Sequence, residues 1–341
     1  METKRLGRQT VQLGEGVGVV SFANIGGKLE SQGPLATCFD ELEQDSFFGA
    51  KTWEQGESMM QQRALQRALQ KGNLSAEDLD YILAGDLLNQ CIGTSFGLRS
   101  FNIPFYGLYG ACSTMGESLA LAAMLIDGGF ANRAAAMTSS HYCTAERQYR
   151  MPVPYGNQRT PTQQWTATAS GCCILGRNGD GPYITHVTCG KIVDKGITDV
   201  NNMGAAMAPA AYDTLRALFR ETHTKPSDYD LIVTGDLGAL GHEIVVDFFG
   251  RDSVDMTRNY TDCGLLLYDL KAQDMHAGGS GCGCSAAVLN GYLLQGMRDG
   301  RWNRIIFAPT GALLSPTSSF QGESVPGICH AVVFSNEKGA T

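Results

Sequence analysis

Residues 78–87 recur at 228–237, identical at six of ten positions without a gap, and this recurrence limits the fold more than any other feature of the chain. A helical pattern precedes each block, with Met59, Arg63, Leu65 and Leu69 in the first copy and Leu215 and Phe219 in the second. A turn follows, Asn73 to Asp78 with Ser75 as the expected N-cap and Lys225 to Asp230 in the second copy. A short apolar strand then ends at Gly85-Asp86-Leu87 and at Gly235-Asp236-Leu237. Further on, Cys112-Ser113 opens a helix ending at Asp127-Gly128, and Cys284-Ser285 opens one ending at Asp299-Gly300. The cysteine-to-aspartate spacing is fifteen in both. Asn132-Arg133 and Asn303-Arg304 lead into strands of small or apolar residues, and Ser170–Leu175 and Ile328–Phe334 close the two halves. Between the blocks the second copy carries about 22 extra residues, because Gly235 to Cys284 spans 49 where Gly85 to Cys112 spans 27.

Strand–helix–strand–helix–strand written twice, with nearly continuous apolar strands, predicts α/β layers whose strands are buried on both faces. The expected boundaries are 1–180 and 181–341, related by a pseudo-twofold axis that brings the two cysteine-led helices together between the sheets.

The first of these helices is the natural place for chemistry. Gly110-Ala111-Cys112-Ser113-Thr114 sets a thiol ahead of an apolar helix, Met115–Asp127, that stops at Gly128-Gly129. A helix N-terminus lowers a thiol's pKa and holds anions, so Cys112 reads as a nucleophile or as an anion seat. A buried cysteine that only fills space is the competing reading.

Composition removes several function classes. The net charge is −8, with no run of lysine or arginine longer than two, which argues against nucleic acid. Eleven cysteines without C-x-x-C pairing argue against a disulfide framework and for a reducing compartment. Cys282-Gly283-Cys284 lacks the second pair that a metal clip needs. The N-terminus shows no secretory pattern, and no apolar stretch reaches the roughly 20 residues of a spanning helix. Gly14-x-Gly16-x-Gly18 is followed by no helix. Gly279-x-Gly281-x-Gly283 points to Asp299, which belongs to a helix end, so neither is a dinucleotide loop.

The duplicated unit with Gly-Ala-Cys-Ser opening a buried helix resembles the thiolase and ketoacyl-synthase superfamily. Seven segments look more specifically like the stage V sporulation protein AD family: Ala84-Gly-Asp-Leu-Leu-Asn-Gln90, Ser139-Ser-His, Thr144-Ala-Glu-Arg-Gln148, Ala205-Ala-Met-Ala-Pro-Ala-Ala211, Asp262-Cys-Gly-Leu-Leu266, Ala277-Gly-Gly-Ser-Gly281 and Thr310-Gly-Ala-Leu-Leu-Ser-Pro316. That resemblance implies a thiolase-like fold in five layers, αβαβα, with mixed sheets packed around buried helices. It also implies non-catalytic binding of dipicolinic acid (pyridine-2,6-dicarboxylate), alone or as its calcium chelate, for uptake into the developing spore. SpoVA-type integral membrane proteins would be the partners, with peripheral attachment at the spore inner membrane. Superfamily members are commonly dimers, so a homodimer is expected, although no interface signature is visible in the sequence. No cofactor is implied.

Acyl transfer needs a histidine or asparagine beside the thiolate and donors for an oxyanion. The turn that carries Gly-His-Pro or Gly-Asn-Thr in those enzymes reads Gly278-Gly279-Ser280-Gly281-Cys282-Gly283-Cys284 here. Cys112 is therefore expected to be a vestigial nucleophile, with a Cys112-dependent condensing enzyme as the alternative and a purely structural subunit as a third reading. The expected ligand contacts are Cys112, Ser140, His141, Arg147, Ser280 and Cys282, with Arg150 nearby. Arg147 would grip a carboxylate or instead pair with a local acid, and His141 would donate to the ligand or sit satisfied in the core. Asp86 and Asp236, after their strands, are expected to cap the next helices in preference to holding calcium.

Overall fold

A computed structural model describes residues 4–14, 16–149 and 159–339. The first half contributes strands β1 (Gly18–Gly26), β2 (Tyr81–Gly85), β3 (Phe105–Gly107), β4 (Arg133–Ser140) and β5 (Ala169–Gly176). The second contributes β6 (Tyr183–Thr188), β7 (Leu231–Thr234), β8 (Tyr260–Asp262), β9 (Arg304–Ala308) and β10 (Ala331–Ser335). The strand orders are β3-β2-β4-β5-β1 and β8-β7-β9-β10-β6, the same permutation twice. In both, the strand of the 78–87 or 228–237 block lies parallel to its two neighbours, and the closing strand runs antiparallel. The halves join where β1 meets β6 antiparallel at Gly18 and Tyr183.

The layers follow from which face each strand residue presents. On β4, Ala134 and Ala136 join the central core, whereas Ala135 and Met137 pack with helices α1 (Trp53–Lys71) and α2 (Ile92–Leu98). On β9, Ile305 and Phe307 face the centre, and Ile306 and Ala308 face α5 (Met203–Thr222) and α6 (Gly238–Arg251). Between the sheets lie α3 (Thr114–Asp127) and α7 (Cys282–Val288), which contribute Met115, Leu119, Cys284 and Val288 to the central core. Helix pair, sheet, buried helix pair, sheet and helix pair make the expected five αβαβα layers of the thiolase-like fold. A further helix, α4 (Tyr142–Tyr149), follows β4 directly.

The repeated residues earn their recurrence in backbone hydrogen bonds. Asp80 Oδ2 accepts from Asn132 N at 2.6 Å and Arg133 N at 3.0 Å, and Asp230 Oδ2 accepts from Asn303 N and Arg304 N at the same distances. One aspartate in each half thus ties its strand entry to the next. Asp78 and Asp228 accept from Ser75 N and Lys225 N and close the turns before the strands.

Local details differ from the sequence reading. The buried face of α1 carries Met60, Ala64, Leu65 and Ala68, while Met59 is exposed and Arg63 pairs with Glu41 and Glu43. Helix α5 begins at Met203, well ahead of the Leu215 and Phe219 that mark it in the sequence, because Asn202 caps it and the buried Met207, Leu215 and Leu218 outweigh the cost of Pro209 inside it. The stretch Ile328–Phe334 is not one strand. Gly327–Cys329 pairs with Thr310–Ala312, and the chain breaks at His330 before β10. The second buried helix opens at Cys282, so Cys284 is its third residue, whereas Cys112 stands two residues ahead of α3. Past Val288 it continues through one wide turn, Leu289–Leu293, to Arg298. The extra residues of the second half cross to the first, where the Tyr268 hydroxyl donates to Glu30 and Gln273 Nε2 donates to Leu29 O at 2.8 Å. All eleven cysteines are free thiols.

Candidate functional site

The turn before α3 is tightly built. Ser113 N donates to Gly110 O, and the Thr114 hydroxyl donates to Ala111 O at 2.6 Å while accepting from Gly110 N. Ala111 takes φ +50, a left-handed conformation that costs a non-glycine residue roughly 1 kcal/mol or more. The result aims Cys112 into a cavity of about 170 Å³. Its apolar walls come from both halves, Leu87, Ala145 and Tyr149 from the first and Met203, Leu314 and Phe320 from the second. Glu146, Thr166 and Ser280 supply polar lining, and no lysine, arginine or histidine lines the cavity among the described residues.

Below the cavity floor sits Asp236, fully buried. Its Oδ2 accepts from Ser280 Oγ and from Gly281 N, each at 3.1 Å, and its Oδ1 accepts from the Thr310 hydroxyl at 2.8 Å. Gly281 is needed there, because its φ is +98 and a Cβ would stand 2.5 Å from Ser140 Oγ. Cys112 Sγ lies 4.0 Å from Ser280 Oγ. Burial raises the Asp236 carboxyl to about 6, against hydrogen bonds from Cys112 and Thr310 that favour its anion.

The thiol responds in the opposite sense to the one expected at a helix N-terminus. Burial pushes the Cys112 pKa well up, and the Asp236 charge pushes it further. The dipole of α3 acts on Thr114 and the residues after it more than on a thiol two positions ahead. Cys112 is held as a neutral S–H facing a carboxylate.

The expected contacts divide into two groups. Cys112 and Ser280 meet on the cavity floor. Cys282 belongs to a small apolar cluster with Cys112, Leu87 and Ala145, yet its thiol donates to Ser139 O at 2.9 Å and it is not among the lining residues. Ser140 is spent on structure: its hydroxyl donates to Ala167 O and accepts from Gly283 N. The structure does not bring His141 or Arg147 to Cys112. His141 Nε2 bonds Ser46 O at 2.8 Å while its Nδ1 accepts from Cys143 N, and burial lowers its pKa, so it is a neutral, satisfied core histidine. Arg147 pairs with Glu54, sits 5.5 Å from the Trp53 ring, and borders a separate hollow with Asn89, Gln90 and Gln148. Arg150 lies outside the described residues.

The aspartates also separate. Asp86 accepts from Leu88 N and Thr94 N, both at 2.7 Å, and closes the turn into α2 as expected. Asp236 does not cap α6. That task falls to Asp262, which accepts from Leu237 N and Gly238 N. The sequence carried a signal for Asp236, since it recurs with Asp86, but not the change of role. Among the described residues no three His, Cys, Asp or Glu side chains converge as a metal site.

Comparison with known proteins agrees with this architecture. A profile of the family described as Stage V sporulation protein AD (SpoVAD) matches residues 7–335. The chain is 44% identical over 338 residues to stage V sporulation protein AD of Bacillus subtilis, covering 99% of this chain and 100% of that protein. Among solved structures, 3-oxoacyl-[acyl-carrier-protein] synthase III of Aquifex aeolicus aligns with a TM-score of 0.59 at 13% identity, covering 94% of this chain and 100% of that one. OleA of Xanthomonas campestris aligns with a TM-score of 0.61 at 14% identity, covering 95% of this chain and 99% of that one.

Proposed function

The chain belongs to the stage V sporulation protein AD family, and from that premise we propose that its cleft is a binding site for dipicolinate as the calcium chelate, not an active site. Its role is in sporulation. The observation that carries the binding reading is the cavity floor, where a buried, protonated Cys112 faces Asp236 with no histidine or asparagine lining the cavity among the described residues. Acyl transfer would require a thiolate and a positioned oxyanion donor, and a carboxylate in that place opposes both.

The chemistry of the walls supports the choice of chelate. A free pyridine dicarboxylate dianion would enter a cavity with Glu146 on its wall and Asp236 beneath it, without a cation among the described lining residues. The calcium chelate is neutral, keeps open positions on the metal for oxygen ligands, and presents an aromatic ring to apolar walls. The volume of about 170 Å³ suits one substituted ring, since a cavity of about 150 Å³ accepts benzene.

The other assignments follow from the family. Peripheral attachment at the spore inner membrane would run through integral membrane partners of the SpoVA type, because no helix among the described residues is long and apolar enough to cross a membrane. A second copy of the chain is the occupant we assign to β3. Its Phe105 and Tyr106 are 40% and 50% exposed, whereas Tyr260 and Asp262 of the counterpart β8 are 8% and 0% exposed, and antiparallel pairing about a twofold would cover both open edges.

The strained φ of Ala111 favours the second reading, a Cys112-dependent acyltransferase. Intact-mass measurement after incubation with acyl-CoA thioesters separates the two. An unmodified mass supports the binding cleft, and a stable adduct on Cys112 overturns it.

A further inference from the structure

Helix α4 forms one wall of the cavity through Ala145, Glu146 and Tyr149, and its other side is tied to α1. Two ties repeat at the same spacing on both helices: Glu54 with Arg147, and Glu57 with Thr144. Glu57 is fully buried, a position a carboxylate rarely occupies as an anion.

The hydrogen bonds around Glu57 show where its proton belongs. Thr144 Oγ1 lies 2.6 Å from Glu57 Oε2 and 2.9 Å from His141 O. One hydroxyl proton cannot serve both acceptors. If Glu57 carries the proton, its Oε2–H donates to Thr144 Oγ1, and the Thr144 hydroxyl donates to His141 O. On the other side, Ser139 Oγ accepts from Gln61 Nε2 at 2.7 Å and donates to Glu57 Oε1 at 2.8 Å. Every bond in this chain then has one donor and one acceptor. Asp86, the other acid of the network, accepts from Leu88 N, Thr94 N and the Thr94 hydroxyl, a set that suits its anion.

We propose that Glu57 is a proton-operated latch: its protonated carboxyl holds α4 against α1, and loss of that proton releases the cavity wall. Glu57 is a positioning residue, since it touches Ser139 and Thr144 and not the cavity.

The groups facing Glu57 reinforce this assignment. Asp86 from the turn after β2 and Glu54 from its own helix are acids, and the Cys282 thiol approaches from α7. Arg147, the cation of α4 among its described residues, is engaged by Glu54. Burial first, and Asp86 second, raise the Glu57 pKa well above the ordinary 4.5. Leu87, next to Asp86, lines the cavity and accepts from Tyr149 OH at 2.6 Å, and Thr144, bonded to Glu57, directly precedes the lining residue Ala145.

Hydrogen exchange of residues 142–149 in the full chain, corrected for intrinsic rates, tests the latch without any ligand. Opening that solvates Glu57 releases one proton, so the opening constant is expected to rise about tenfold per pH unit across neutrality. Glu57→Gln, whose amide can donate to Thr144 and whose carbonyl can accept from Ser139, should remain protected with no such slope. Equal pH dependence in wild type and Glu57→Gln overturns the latch, as does a flat profile in wild type. Affinity for calcium dipicolinate should fall with pH in wild type only. That arm rests on the proposed ligand, and its failure with exchange behaving as expected would reject the ligand and keep the latch.

Discussion

The Ser280 hydroxyl donates to Asp236 Oδ2 at 3.1 Å and so orients the floor of the cleft around an acid. In a condensing enzyme this ground would be held by groups that stabilise negative charge on sulfur and oxygen. Here the acid penalises a thiolate at Cys112, and the fold of an acyltransferase surrounds a thiol that stays protonated.

Removing that charge should wake the thiol. Asp236→Asn is expected to lower the Cys112 pKa and raise its alkylation rate by iodoacetamide at least about tenfold near neutral pH, the gain in thiolate that about one pKa unit brings. Mapping the alkylated cysteine by mass spectrometry over a pH series checks this. A pH–rate profile unchanged by the substitution contradicts it.

Stability should carry the mark of Glu57. The folded protein keeps a proton on this carboxyl at pH values where the unfolded chain, with an ordinary value near 4.5, has lost it. Stability present below that ordinary value is therefore lost as pH rises toward the raised one, at up to about 1.4 kcal/mol per pH unit. Denaturant melts of Glu57→Gln over the same pH series should lack this one-proton slope. Parallel curves for the two proteins count against a raised carboxyl.

The matched aspartates offer a test of the duplication. Asp80→Ala and Asp230→Ala each free two backbone N–H groups at a strand entry, and each should cost about 1 kcal/mol. Denaturant midpoints should fall by similar amounts for both, and a large disparity means that the two halves do not use the motif alike.

The exposed edge makes a prediction about assembly. Tyr106→Glu places a charge on β3 where the second copy is assigned, and light scattering should report half the wild-type mass at micromolar concentration. A wild type that already scatters as a monomer contradicts the assignment.

The fold was largely legible in the sequence because its repeat is physical. Asp80 and Asp230, or Asp78 and Asp228, recur since each half must tie down the same backbone groups. The buried cysteine-led helices were legible for a similar reason, as apolar runs between small residues. The site was less so. Asp86 and Asp236 share a sequence position but not a task, because β8 ends on Asp262, which takes over the cap and leaves Asp236 to the cleft, whereas the counterpart β3 ends on Gly107. Arg147 reads as a ligand grip or as the partner of a local acid, and the acid it pairs with, Glu54, lies 93 residues earlier, beyond what local spacing reveals. The lining residues Met203, Leu314 and Phe320 carry no motif, and only the packing of the halves assembles them.

Calorimetric titration of the full chain with dipicolinate, with and without equimolar calcium, tests the central claim most directly when Ala145→Phe, which fills the cavity, is run beside the wild type. The account predicts one saturable site per chain with calcium, markedly weaker binding without it, and none in the filled variant. Absence of binding to the wild type in both titrations, or undiminished binding to Ala145→Phe, would contradict it.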